Sequence, residues 1–295
     1  MTFRPNPSRR WLDAIRTRLW VLGLSRPQSR YYYTNGGIGD ELMLTAIARA
    51  ARRAGRPISV IATYPELWIG NGDPVMVASN LERWHYSVRR GWISTDIVHL
   101  EYQTSRPEHI AAQMAAHIPV CLPQDWRPIL AVEPVSREAG LIVMQNSCRG
   151  ARYAASTKEW PSERWDQLAR RLSPKHRICQ VGSPVDPPLP GAEDLRGRTT
   201  LRDVAGLLAR AVLFVGLESG LQHVAAAVGT PAVIIYGGRS RPAQTGYAFN
   251  RNLVREPPCA GCGLNEGCPH AVMCMDIPVE EVERAVNETM AGPGP

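Results

Sequence analysis

Short aliphatic and aromatic runs alternate along the chain with longer stretches in which apolar residues recur every three or four positions, the pattern of strands separated by amphipathic helices. The first pair is a strand predicted over residues 31–34 and a helix over 41–54, stopped by Gly55. A second strand is predicted over 58–63. After a Gly/Asn/Asp/Pro loop at 70–74 come a strand over 97–102 and a helix over 109–118. Residues 119–139 carry Pro119, Pro123, Pro128 and Pro134 with little periodicity, as a linker does. Then the alternation resumes: strand 141–145, helix 162–172, strand 177–181, helix 201–209 with Thr199 or Thr200 as its cap, strand 212–215, helix 220–228, strand 232–236 and a closing helix over 279–290. Two α/β series joined in this way predict two parallel-sheet units facing across a cleft, with ligands beyond the carboxyl ends of the strands. The chain divides accordingly into an arm (1–30), an N-terminal unit (31–122), a linker (123–139) and a C-terminal unit (140–295).

Length agrees, since 295 residues suit two domains of ordinary size. No uncharged apolar run reaches 18 residues and no heptad or longer repeat is sustained, which excludes a spanning helix, a coiled coil and a solenoid. Charge changes the picture only at one end. The formal charge is +7, yet Arg4, Arg9, Arg10, Arg16, Arg18, Arg26 and Arg30 oppose only Asp13 in the arm, so 7 − 1 = +6 of it lies there. A nearly neutral body argues against a nucleic-acid groove. Within the arm, Trp11, Leu12, Ile15, Leu19 and Leu22 approximate one helical stripe. That face suits either an anionic membrane surface or docking on the first unit. Asp13, Arg16 and Arg18 interrupt any signal-peptide core, so the expected location is cytoplasmic, with peripheral contact to the inner membrane if the arm binds lipid.

Seven cysteines are present, four of them spaced Cys259-x2-Cys262-x5-Cys268-x5-Cys274. In a reducing compartment this spacing reads as a closed thiolate site for structural zinc or iron, with His270 as a substitute ligand, or as free thiols packed in a loop.

The segment Asn35-Gly36-Gly37-Ile38-Gly39-Asp40 follows a strand and opens a helix, where glycine allows close approach and the helix end favours anions. A dinucleotide fingerprint fails: Leu42 occupies the third small position, and no acid lies between Leu42 and Pro65 to hold a ribose. A Walker loop fails for lack of Gly-Lys-Ser/Thr. Asp40, in the first turn, is expected to be ionised at neutral pH, as a proton acceptor or simply as a helix-terminal acid. Lys158 is one of two lysines among 32 arginines and stands just before Trp160-Pro161. Ser219, Gly220 and Leu221 open a helix whose amides suit diphosphate oxygens. His223, in that helix, suits either ligand contact or a satisfied place in the core.

Taken together these residues resemble the heptosyltransferase-like glycosyltransferases of family 9. The resemblance rests on Gly36-Gly37-x-Gly39-Asp40 with Thr45, on Lys158-x-Trp160-Pro161, on Leu195-x-Gly197-x-Thr199-Thr200-Leu201, and on Gly216-x-Glu218-Ser219-Gly220 with His223 and Gly229-Thr230-Pro231. It covers about residues 31–290. It implies the GT-B arrangement of two Rossmann-like domains and inverting transfer of a sugar from a nucleotide-sugar donor, typically ADP-heptose, without a catalytic metal. The acceptor it implies is a lipopolysaccharide-type lipid-linked saccharide or a protein. Asp40 would be the general base. Gly37, Gly39, Lys158, Glu218, Ser219, Gly220, Leu221 and His223 would hold the donor. The chain departs from the family in carrying Glu218 where an Asp is usual, in a short N-terminal half and in its basic arm. The alternative function is a non-catalytic sugar-nucleotide binder or assembly protein with the same fold.

Overall fold

A computed structural model of the chain describes residues 30–72, 76–79 and 97–292. The amphipathic arm expected over 1–30 lies almost wholly outside the described residues. Two parallel sheets account for all the strands described. The first has the order β3-β2-β1-β4, with β1 Tyr31–Tyr33, β2 Ser59–Ala62, β3 Met76–Ser79 and β4 Ile97–His99. The second runs β10-β9-β8-β5-β6-β7, from β5 Leu141–Gln145, β6 Arg177–Gln180, β7 Glu193–Asp194, β8 Leu213–Leu217, β9 Ala232–Tyr236 and β10 Arg251–Val254. In both sheets the chain moves outward on one side and then returns to pair on the other side of its first strand, between β1 and β4 and between β5 and β8. Loops diverge at such a reversal and leave a crevice at the strand ends.

Helix α1 (Ile38–Arg53) begins earlier than the periodicity predicts, because Gly37 is its N-cap and the Glu41 N–H already donates to the Gly37 carbonyl. The glycine loop is thus part of the first helical turn. Helix α2 (Ile110–Ala115) is shorter than predicted: His109 caps it through an Nδ1 that accepts the Ala111 N–H, and it ends in turns before Pro119. In the second half α3 (Ser162–Leu172), α4 (Leu201–Arg210), α5 (Gly220–Val228) and α7 (Val279–Ala291) match the predicted helices closely, while the single-turn α6 (Pro242–Thr245) had no periodic signal. Thr200 is the cap of α4, in a reciprocal capping box with Asp203. Strand β4 ends at His99, short of the predicted 102. The edge strands β3, β7 and β10 are too short to announce themselves by alternation.

Helix α1 is buried on more than one side. Met43, Leu44, Ile47 and Ala51 pack with Tyr32, Val60, Leu100 and Met114 in the first half. Leu42 instead joins Leu67 and Leu130 in the core that Val204, Leu208, Leu221 and Val224 build on one face of the second sheet. The opposite face is covered by α3 and α7 around Trp160 and Trp165, which meet edge to face with ring centroids 5.0 Å apart. The two halves therefore share apolar packing through α1. The proline-rich segment lies on this joint without helix or strand, held where Ile129 N–H donates to Thr45 Oγ1 and Ala131 N–H to Asn71 Oδ1. No helix among the described residues is long and apolar enough to cross a membrane.

Truncating the fully buried Leu42 should therefore weaken both halves together. Leu42→Ala is expected to lower unfolding free energy by about 2–5 kcal/mol, with the loss read from urea denaturation. A change under about 1 kcal/mol would show that the shared core contributes little.

Candidate active site

The N-terminal ends of α1 and α5 meet across the joint. A Cβ placed on Gly39 would stand 2.5 Å from Cδ2 of His223, and one placed on Gly220 would stand 3.0 Å from Cβ of Ile38. A side chain at Gly39 would force the buried His223 ring to shift, and one at Gly220 would press tightly on Ile38. His223 is buried, with Nδ1 2.7 Å from the Tyr247 hydroxyl, and burial pushes its pKa down to about 3, so it is neutral. The structure thus places His223 and Gly39 together as packing partners, with the histidine side chain buried beside Tyr247.

Asp40 occupies the third position of α1. Its carboxyl lies back over Gly37, whose N–H it accepts, and it accepts the Tyr102 hydroxyl at 3.1 Å. Burial dominates its titration and lifts its pKa to about 6, with nearby Glu218 adding to the rise and Lys158 opposing it. The helix end alone would have lowered it. The carboxylate is still mainly ionised at neutral pH, as the sequence led us to expect, but it is poised much nearer to neutrality. Its neighbour Glu41, which carried no sequence signal, is also buried and is lifted to about 7 by desolvation; it ties α1 to the next loop by accepting from Thr63 N, Tyr64 N and Trp68 Nε1.

From the second half, Lys158 ends a single 3-10 turn (Ser156–Lys158). The turn is fixed on three sides. Trp160 is buried behind it and donates from Nε1 to the Ile277 carbonyl, Thr157 Oγ1 donates to the Leu264 carbonyl, and Gly237 lies so close that a Cβ there would be 2.5 Å from the Thr157 carbonyl oxygen. Lys158 Nζ forms an ion pair with the Glu218 carboxylate and donates to the Glu218 backbone oxygen at 3.2 Å. Both side chains are about nine-tenths buried. The extra methylene of Glu218 relative to Asp lets its carboxylate reach the ammonium group from the end of β8. Ser219 caps α5: its Oγ accepts the Leu221 N–H and donates to Gln145 Oε1 at 2.6 Å, linking the ends of β5 and β8. The Leu221 amide, expected to face a donor, here donates to that cap at 3.3 Å.

The cleft is bridged farther out. The Tyr153 hydroxyl donates to the Asn35 carbonyl and Arg152 Nη1 lies 3.5 Å from the Gly36 carbonyl, so the loop after β5 reaches the glycine loop. Tyr102, Arg152 and Tyr153 carried no motif, and Asn35 was noted only as the start of the glycine loop. Only the position of Tyr102 at the end of a predicted strand hinted at it.

The cysteine segment does not form the thiolate site expected of it. Among the described residues no group of three or more His, Cys, Asp or Glu is gathered closely enough to hold a metal ion. Cys274 is buried with its sulfur against Gly238 and lies near enough to Cys268 and Cys262 to interact with their charge, while Cys262 is exposed. The segment's backbone is instead engaged with the Lys158 turn through Leu264 and Asn265, whose carbonyls accept from Thr157 and Ser156.

Comparison with known proteins agrees with this geometry. Residues 144–262 match the family model of glycosyltransferase family 9 (heptosyltransferase). Over 196 residues the chain is 28% identical to lipooligosaccharide heptosyltransferase 2 of Haemophilus influenzae, a match that covers 56% of this chain and 56% of that protein. The chain thus spans little more than half the length of this relative. Among solved structures it is similar to the iron-containing dodecameric glycosyltransferase TibC of enterotoxigenic E. coli, with a TM-score of 0.70 and 16% identity over 90% of this chain and 78% of that one. The same protein in complex with ADP-D-β-D-heptose gives a TM-score of 0.66 at 16% identity, covering 89% of this chain and 77% of that one. The fold is GT-B, and the resemblance to the heptosyltransferases stands.

The close contact at Gly39 makes a paired test possible. Gly39→Ala should destabilise the chain by about 1–3 kcal/mol through overpacking, and combining it with His223→Ala, which removes the opposing ring, should restore part of that loss. Thermal unfolding of the two single variants and the double variant measures it; strict additivity would mean that the two residues do not press on each other.

Proposed function

We propose that this chain, whose residues 144–262 match glycosyltransferase family 9, transfers a sugar from a nucleoside-diphosphate donor to a hydroxyl acceptor, with ADP-heptose as the donor. The observation that carries this reading is the meeting of Asp40, presented by one half, with Lys158 and Glu218, presented by the other, at the facing strand ends. The acceptor oxygen attacks the anomeric carbon while the bond from that carbon to the diphosphate oxygen breaks. The electron pair leaves with the diphosphate, and the acceptor's proton passes to the Asp40 carboxylate. Attack from the side opposite the leaving group inverts the anomeric centre.

Charge developing on the diphosphate is met by Lys158 and by the start of α5 at Ser219 and Gly220. Diphosphate entering the site competes with Glu218 for the ammonium group, which frees that carboxylate to accept hydrogen bonds from sugar hydroxyls. Gly37 leaves room for the Asp40 carboxylate to fold back over it, since a Cβ there would crowd Asp40 Oδ2 at 3.0 Å. The transfer is written without a metal ion, since side chains and a helix end supply the positive charge. Support for heptose and ADP comes from the names of the Haemophilus relative and of the liganded TibC structure. The acceptor is a lipooligosaccharide-type saccharide by the same analogy, and the basic arm of the sequence suits its presentation at an anionic membrane face.

Asp40→Asn is expected to lower turnover by about 10²-fold or more with nearly unchanged ADP affinity, measured by radiolabelled sugar transfer and by calorimetry. Near-normal turnover at saturating substrates would place the base elsewhere. Lys158→Ala should weaken ADP binding measurably in the folded variant; a chain that binds ADP but transfers nothing would favour the non-catalytic alternative. In the wild type, kcat/KM should be constant above neutrality and fall with decreasing pH through about 6, where Asp40 takes up its proton.

A further inference from the structure

The proposed base is held by a chain of groups that no motif announces. The Tyr102 hydroxyl lies 3.1 Å from Asp40 Oδ1, and the side chain of Asn35 hydrogen-bonds the same phenolic oxygen. On its other side Asn35 Oδ1 is 2.8 Å from Nε2 of His99, whose ring stacks on Tyr33 with centroids 4.6 Å apart. The directions of these bonds are coupled. With Nε2 of His99 carrying a proton, that N–H donates to the Asn35 amide oxygen and the Asn35 NH₂ group is left to donate to Tyr102; Glu101 Oε1 faces the other ring nitrogen, Nδ1, at 3.3 Å. With its oxygen occupied as an acceptor, the phenol directs its own hydrogen to Asp40. The loop that bridges the cleft enters here as well, since Tyr153 grips the backbone carbonyl of this same Asn35.

Building on the proposed transfer reaction, we propose that Tyr102, oriented by Asn35, is the positioning residue of the general base: with the Gly37 N–H holding the carboxyl from its other side, it fixes Oδ1 of Asp40 and so sets the direction in which the remaining lone pairs meet the acceptor hydroxyl. It touches neither reacting atom. The bond is made to the ionised carboxylate, which it favours over the acid, so it offsets part of the effect of burial on Asp40. Without it the carboxyl rotates more freely and holds its proton to higher pH.

Tyr102→Phe removes one oxygen and keeps the ring, and it separates this role from simple packing. The pH dependence of kcat/KM and the ¹³C NMR titration of the Asp40 carboxyl are to be measured in wild type, Tyr102→Phe and Asn35→Ala. The acid limb and the carboxyl midpoint should both move up by about half to one pH unit in Tyr102→Phe, with a smaller movement in the same direction in Asn35→Ala. Turnover above the limb should fall several-fold while ADP affinity holds. An unmoved carboxyl midpoint in Tyr102→Phe, even with a uniformly lower rate, overturns the proposal. The NMR titration needs no substrate, so a wild-type chain that transfers no sugar would end the functional reading while the effect of Tyr102 on Asp40 is still decided.

Discussion

Everything at the centre of this molecule depends on two helices approaching end against end more closely than any side chain would allow. Gly39 of α1 lies under the His223 ring, and Gly220 of α5 lies under Ile38. Were either glycine replaced, the helix starts would separate, and with them the Asp40 carboxylate and the Lys158 and Glu218 pair. The contact also explains why a glycine-rich turn here need not cradle a phosphate: at Gly39 the room is taken by an imidazole. Leu42, one helical turn on, extends the same contact into apolar packing with Leu221 and Val224.

Electrostatics then sets the character of the cleft. Three ionisable side chains, two acidic and one basic, are buried together, and burial is costly for each charge taken singly. The pairing of Lys158 with Glu218 leaves Asp40 with the least compensation, and it is Asp40 whose pKa rises. A group held in this way accepts a proton near neutral pH far better than an exposed carboxylate does.

Much of this architecture was legible in the sequence where periodicity is strong. Strands β5 and β9 and helices α3 and α5 fall where the hydrophobic pattern puts them, because each is a fully buried strand or an amphipathic helix on a sheet. Short edge strands such as β10 were not legible, since a few residues with one buried side chain carry no period. At the candidate site, Asp40 and Lys158 were noted from residue type and position, and Glu218 only through the family resemblance. The roles of Tyr102 and Asn35 were not, for they arise from parallel pairing between β1 and β4, which brings together residues more than sixty positions apart. The cysteine spacing suggested a ligand set; the fold brings Cys262, Cys268 and Cys274 into one neighbourhood, but among the described residues they are not gathered closely enough to hold an ion, because spacing along a loop does not fix where its sulfurs point.

The placement of the helix-to-helix touch point has a mechanical consequence. In any swing of one half against the other about that point, displacement grows with distance from it, as in a pair of scissors. Groups beside the pivot, Asp40 on one blade and the start of α5 on the other, travel least. A relative motion of the two halves that keeps this contact would thus leave Asp40 and the start of α5 almost in register with each other.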